Sequence, residues 1–334
     1  MNVTELQNYL QLLIQNRLHQ AVMVWGKPGI GKSSIVRSLC EQNKLQFIDV
    51  RLSQLMPSDL RGIPVPDQNM THWYPPAFLP QEGEGILFMD EINMAPPALQ
   101  GVAQQLVLDR QVGDYCLPDG WLVWAAGNHS TDRAAVYDMP APLANRFIHL
   151  TLNESINDFR AYALATGLHP DVIGFVSFRS DLLHKMHPTN PAWPSPRSWE
   201  MAARLHQIGL SIEPAVGDAC ALEFHAFCRL QHDLPGMEAI LKGTSTAEFP
   251  QEPSLRYALI CHLISRAEKN QQAVHCFEWL IEQASSEWIQ MFVSELVPVL
   301  KQRKQYSAFT PKIIGNEKAR QYLTQFAGLM MELD

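Results

Sequence analysis

The chain has 334 residues, of which 46% are hydrophobic and 18% charged, and a formal net charge of −8. That length implies two or three compact units, and the composition excludes a disordered or collagen-like chain. The acidic balance counts against nucleic acid as the main partner, because phosphate binding relies on clustered Lys and Arg.

The most basic segment, Lys301, Arg303, Lys304, Lys312, Lys318 and Arg320, reads as a solvated helix face or a docking surface for an acidic protein. Six scattered cysteines without a CxxC pair point to reduced thiols in a cytoplasmic protein rather than a disulfide framework. The first residues carry no basic stretch followed by an apolar one, and no apolar run approaches the length of a membrane span. A soluble protein inside the cell is expected.

Thr4 with Gln7 can form a capping box opening a helix through about Leu18, with Leu6, Leu10, Leu13 and Ile14 on its apolar face. The apolar run 21–25 is then the mark of a strand buried on both faces. A glycine-rich turn, a helix from about Lys32 to Gln42, and further strands at 47–52, 86–89 and 121–126 follow. Strands alternating with helices imply a parallel sheet covered on both sides. Two connections, 53–80 and 111–119, are longer than packing needs and are predicted to be β-hairpin insertions, with Pro118-Asp119-Gly120 a turn signal at the end of the second. After Leu150 the pattern becomes helical. Residues 188–196 form a rigid connection with Ser195 as an N-cap and Pro196 as the first helical position. Residues 243–254 read as a linker into a last helical segment.

Gly26-Lys27-Pro28-Gly29-Ile30-Gly31-Lys32-Ser33 fits GxxxxGK[ST] between a buried strand and a helix, the setting a phosphate-binding loop requires. Its glycines let backbone N–H groups curl round phosphates at a helix N-terminus, with Ser34 continuing the cradle. Lys32 would neutralise the β- and γ-phosphates, and Ser33 would ligate Mg²⁺. A buried strand next delivers Asp90 and Glu91 at its C-terminal end, where open α/β sheets bind ligands. There Asp90 would hold Mg²⁺ and Glu91 would activate water. Asn128 ends the following strand and would reach the γ-phosphate or the lytic water. Arg146, before another apolar run, suits the spread charge of phosphoryl transfer. Arg197 opens a helix of the second half and could reach back to the phosphates. Taken singly, an Asp-Glu pair, a turn asparagine or a surface arginine is commonplace.

In order and spacing these segments resemble the Walker A, Walker B, sensor 1, arginine-finger and sensor 2 elements of AAA+ ATPases. The phrases LFMDEIN, APLANRF and PSPRSWE, with a hairpin before sensor 1, are similar to the MoxR branch over roughly residues 1–240. The resemblance implies an α/β P-loop fold with a parallel central sheet, two hairpin insertions, a helical lid and C-terminal helices. In residue ranges this is a nucleotide-binding domain over 1–152, a lid over 153–242 and a C-terminal segment over 243–334. It also implies ATP/ADP and Mg²⁺ as ligands, a hexameric homo-oligomer, Arg146 acting on the neighbour's ATP, and the regions 65–73 and 113–118 facing a pore or partner. A protein partner with a von Willebrand factor A domain is implied as well. Two rival readings are a nucleotide-gated scaffold and a nucleic-acid translocase. His225, Cys228 and His232 share a helix face but lack a fourth metal ligand, and His184 and His187 lack an HExxH setting.

Overall fold

The structure, a computed structural model, describes all residues except 69, 130–136, 234–235, 268, 316, 318, 321 and 323–334, and omits the side chains of 230–233, 254 and 302. The chain divides into two compact units, Met1–Ser155 and Ile156–Asp334.

The first unit opens with α1 (Val3–Gln15), β1 (Ala21–Trp25), α2 (Lys32–Asn43), β2 (Gln46–Arg51) and α3 (Pro57–Arg61). A hairpin of β3 (Ile63–Asp67) and β4 (Met70–Tyr74) follows, then β5 (Gly85–Asp90) and α4 (Pro97–Leu108). A second hairpin, β6 (Gln111–Val112) and β7 (Tyr115–Cys116), precedes β8 (Trp121–Gly127), α5 (Ala141–Ala144) and β9 (Phe147–Thr151). The five long strands form one parallel sheet in the order β2-β5-β8-β1-β9. Both faces are covered, as continuous apolar runs require. Val22, Val24, Phe88 and Trp124 pack with α1 and α2, and Met23, Leu87, Met89 and Ala125 pack with α4.

The start of α1 differs from expectation. Its N-cap is Asn2, whose side chain accepts from Glu5 N at 2.8 Å while Glu5 accepts from Asn2 N at 2.9 Å. The backbone is already helical at Val3, so Thr4 lies inside the first turn and cannot cap it. The helix also ends at Gln15, short of Leu18.

Both predicted hairpins are present, and they touch. Trp73 N donates to Asp114 Oδ2 at 2.8 Å, and the Arg61 guanidinium lies 5.2 Å from the Trp73 ring centroid. Trp73 pairs with Pro64 in the antiparallel register, so that N–H points away from β3. By the same parity the outward backbone positions of β3 are Pro64 and Pro66, neither of which has an N–H to offer.

The second unit runs α6 (Ile156–Ala165), α7 (Pro170–Phe178), α8 (Pro196–Gln207), α9 (Glu213–Val216), α10 (Asp218–Asp233), α11 (Met237–Lys242), α12 (Pro253–Arg266), α13 (Asn270–Gln283), α14 (Ser286–Gln302) and α15 (Tyr306–Ile314). Ser195 caps α8 by accepting from Ser198 N at 3.1 Å, with Pro196 at the first helical position. Two hydrophobic clusters fill the unit, one around Phe175, Trp199 and Phe227, the other around Phe277, Leu280 and Phe292. The irregular stretch before α12 is tied down, since Trp279 Nε1 donates to Ala247 O at 3.1 Å. No helix among the described residues is long and apolar enough to cross a membrane.

The basic segment near the C-terminus is partly spent inside the fold. Arg303 donates to Ala267 O at 2.6 Å, Lys312 to Gln271 Oε1 at 3.0 Å, and Lys301 lies 5.3 Å from the Tyr306 ring centroid, whereas Lys318 lies outside the described residues.

Candidate nucleotide site

Parallel pairing of β1 with β8 puts Trp25 opposite Gly127, so the loop after β1 and Asn128 emerge side by side. Gly26 N donates to Gly127 O at 3.3 Å. Gly29 (φ 80°) and Gly31 (φ 93°) take left-handed backbone conformations. An L side chain there would cost about 1–2 kcal/mol each. Those two turns curl Gly26–Ser34 round the N-terminus of α2, whose unpaired N–H groups favour an anion.

Lys32 is 9% exposed. Its ammonium donates to the carbonyls of Gly26 (2.7 Å) and Lys27 (3.1 Å) and to Asn128 Oδ1 (2.9 Å). Residues 96 positions apart in the chain thus meet through one buried charge. Lys27 itself turns outward to Glu154. Ser33 is half-buried and Ser34 exposed.

Asp90 ends β5 on the neighbouring strand, and its Oδ1 accepts from Glu91 N at 3.0 Å. Burial, and then the nearby Asp49 carboxylate, push the Asp90 pKa above its ordinary value. Glu91 sits in the left-handed region (φ 56°, ψ 34°). A non-glycine residue so placed stores on the order of 1–3 kcal/mol, a common mark of functional sites. The hard oxygens of Ser33 and Asp90, beside a surplus of negative charge, suit a small divalent cation such as Mg²⁺.

Three further residues of the site were not singled out by the sequence. Ser53 donates its hydroxyl to Glu91 Oε2 at 2.7 Å, because the register Arg51↔Asp90 carries the chain after β2 alongside Glu91. Asn93 clamps Asn128 from both sides, donating to its carbonyl at 2.7 Å and accepting from its N–H at 3.3 Å. A Cβ on Gly127 would lie 2.6 Å from Asn93 Oδ1, so glycine is what lets the clamp close. Asp49 adds a buried Oδ1 without a hydrogen-bond partner among the described residues. A polar residue two positions after an Asp-Glu pair is a signal that could have found Asn93. Ser53 and Asp49 depend on strand order, which no local pattern contains.

Arg146 is exposed at the turn between α5 and β9. Arg197 is exposed at the second position of α8, in the second unit.

The histidine and cysteine sets weighed as metal sites have other roles. His187 Nδ1 accepts from Asn190 N at 2.9 Å, and His184 packs edge-on against Trp193. Burial pushes the Cys228 thiol up to about 12, leaving it protonated, and the His232 side chain lies outside the described residues. His169, Asp171 and His206 do converge, but Arg266 already neutralises Asp171 at 2.8 Å, and a divalent cation would add uncompensated charge there.

Residues 21–149 match the family described as "ATPase family associated with various cellular activities (AAA)". The chain is 24% identical over 156 residues to Midasin of Giardia intestinalis, an alignment covering 44% of this chain and 3% of that protein. It therefore spans only a small part of that relative's length. Among solved structures it is similar to the Thermotoga maritima RuvB Holliday junction branch migration motor, with a TM-score of 0.42, 16% identity, and coverage of 72% of this chain and 74% of that one. It is also similar to NtrX from Brucella abortus in complex with ADP, with a TM-score of 0.42, 14% identity, and coverage of 87% and 68%. The loop, the paired acids and the asparagine gathered at one sheet edge all lie within the segment 21–149 that this AAA family matches.

Proposed function

We propose that this chain is a MoxR-type AAA+ motor that hydrolyses ATP with Mg²⁺ and, as a hexameric ring, remodels a protein partner carrying a von Willebrand factor A domain. One observation carries the catalytic half of that reading. The buried Lys32 ammonium touches Asn128 just past the end of β8, while Asp90 and Glu91 leave β5 on the adjoining strand. An ammonium, an amide and two carboxylates at one edge match what attack of water on a terminal phosphate needs.

In this mechanism the N–H groups of Gly29–Ser33 hold the phosphates at the start of α2. Lys32 exchanges its carbonyl partners for phosphate oxygens. Ser33 and Asp90 would hold Mg²⁺, which would supply positive charge to the phosphates. Glu91 takes a proton from water as its oxygen bonds to the γ-phosphorus and the bond to the β-γ bridging oxygen breaks, giving ADP and phosphate. Asn128, held by Asn93, directs its amide at the water or γ-phosphate. Arg146 of the adjacent subunit and Arg197 of the lid would add charge in the transition state. Regions 65–73 and 113–118, joined through Asp114, would meet the pore or partner as one piece.

Calorimetry and phosphate release test the reading. Glu91→Gln is expected to bind ATP with magnesium like the parent while losing about 10²–10⁴-fold in turnover. No binding of adenine nucleotide by the folded parent would reject the site. Binding with no hydrolysis, alone or with partner, would leave a nucleotide-gated scaffold instead.

A further inference from the structure

Trp25 is the last residue of β1, directly before the phosphate-binding loop, and its side chain reaches across the sheet edge. Its indole Nε1 donates to His149 Nδ1 at 2.8 Å, and the two rings stack with centroids 6.0 Å apart at 13°. His129, next to Asn128, stacks on the same indole at 5.6 Å and 23°. An indole N–H can only donate, so His149 Nδ1 must accept, which leaves its proton on Nε2. Nε2 lies 2.8 Å from Ala144 O and donates to it. The tautomer is thus set by two neighbours, one on each side of the ring.

Ala144 is the last residue of α5, and Arg146 follows two positions later, its N–H donating to Leu143 O at 3.1 Å. α5 has only four residues and no side-chain cap. A helix that short has little stability of its own, so a hydrogen bond to its last carbonyl matters for where the turn sits. His149 provides that bond from the edge strand β9.

We propose that His149 is the positioning residue for Arg146, and that Trp25 ties this arginine to the phosphate-binding loop of its own chain. The inference rests on the reading of Arg146 as acting on a neighbour's ATP. The relay Gly26–Trp25–His149–Ala144–Arg146 then lets the state of one nucleotide site set the reach of the arginine serving the next. Trp25 also senses the strand of Asn128 through His129, so both phosphate-facing elements bear on the same ring.

Three full-length variants test it by steady-state ATP hydrolysis. His149→Phe keeps a ring against Trp25 and removes both nitrogens. It is expected to lower kcat by about 10- to 100-fold, the scale of small misplacements of a catalytic group, with KM unchanged. His149→Gln keeps one acceptor and one donor and should recover most of the loss. Arg146→Ala reports on the underlying reading. Wild-type kcat in His149→Phe beside an impaired Arg146→Ala overturns the inference alone, as does a change confined to KM. An unimpaired Arg146→Ala overturns the reading and the inference with it.

Mixed assemblies supply a readout that a merely structural role would not move. A Glu91→Gln chain hydrolyses far more slowly but lends an intact arginine. Mixed with His149→Phe chains it should raise activity above the average of the two parents, as it should with Arg146→Ala chains. Rescue of Arg146→Ala without rescue of His149→Phe would show that His149 acts elsewhere.

Discussion

In the first unit, charge collects at one edge of the sheet and is left out of balance. Asp90 feels the Asp49 and Glu91 carboxylates against the buried Lys32 ammonium, Asp49 has the Arg37 guanidinium at 3.8 Å, and burial followed by Asp49 pushes the Asp90 carboxyl up. In the second unit, buried charges come from one helix and are met from another. Asp171 of α7 accepts from Arg266 of α12 at 2.8 Å and lies 3.1 Å from His206 Nε2 of α8, and Arg160 of α6 pairs with Glu295 of α14. The second arrangement fastens helices, whereas the first holds unfavourable charge in place for something the protein binds. The two units should therefore answer protonation and mutation with opposite signs.

The largest effect is expected from acid acting on the second unit. His262, stacked on Phe227 at 4.2 Å, has a pKa lowered to about 4, first by burial. The Asp171 carboxylate opposes that shift and the Arg266 charge adds to it. Below its ordinary value near 6.5 the unfolded chain takes up a proton that the folded one refuses. Stability is thus intact above about pH 6.5 and declines by about 3 kcal/mol as pH falls to 4. Hydrogen exchange of peptides from 156–322 between pH 7 and 4.5 checks this, and His262→Phe should flatten the dependence. A smaller loss, about 2 kcal/mol, is expected for Asp171→Asn, which removes the carboxylate that Arg266 and His206 share; Arg266 is about one-third exposed, which keeps the figure low. Denaturant titration at pH 7 reads it directly.

The smallest effect has the reverse sign. A carboxyl whose folded pKa is raised destabilises the fold while ionised, so stability falls as pH rises through that raised value. Asp90→Asn removes the penalty and should lift the melting temperature of the nucleotide-free protein by about 2 °C, while nucleotide with magnesium no longer stabilises it. A lower melting temperature would mean that the first unit balances its charge as the second does.

Much of the first unit was legible because its evidence is local. The runs 21–25, 86–89 and 121–126 are apolar at every position, which only a strand covered on both faces explains, and the phosphate-binding loop carries its glycines in sequence. Lys32, Asp90, Glu91 and Asn128 followed from those strands. What stayed hidden depends on pairing across the sheet: Ser53 reaches Glu91 only because β2 lies beside β5, and His149 reaches Trp25 only because β9 lies beside β1. The cap of α1 was misplaced by two residues because Asn2-Glu5 and Thr4-Gln7 have the same spacing, and only the backbone tells them apart. In the second unit the Asp171 cluster joins three helices far apart in the chain, and no periodicity reports such a meeting.

The first hairpin presents Ile63, Met70 and Tyr74 to solvent, each more than 60% exposed, on a ribbon that is otherwise well suited to recruit foreign chains. Yet one rim carries prolines where donors would stand, and Asp114 covers the Trp73 donor on the other. Such a ribbon can offer greasy side chains at high local crowding without templating cross-β growth. Replacing Pro64 and Pro66 would hand the protein a sticky margin, and with it a route to fibrils.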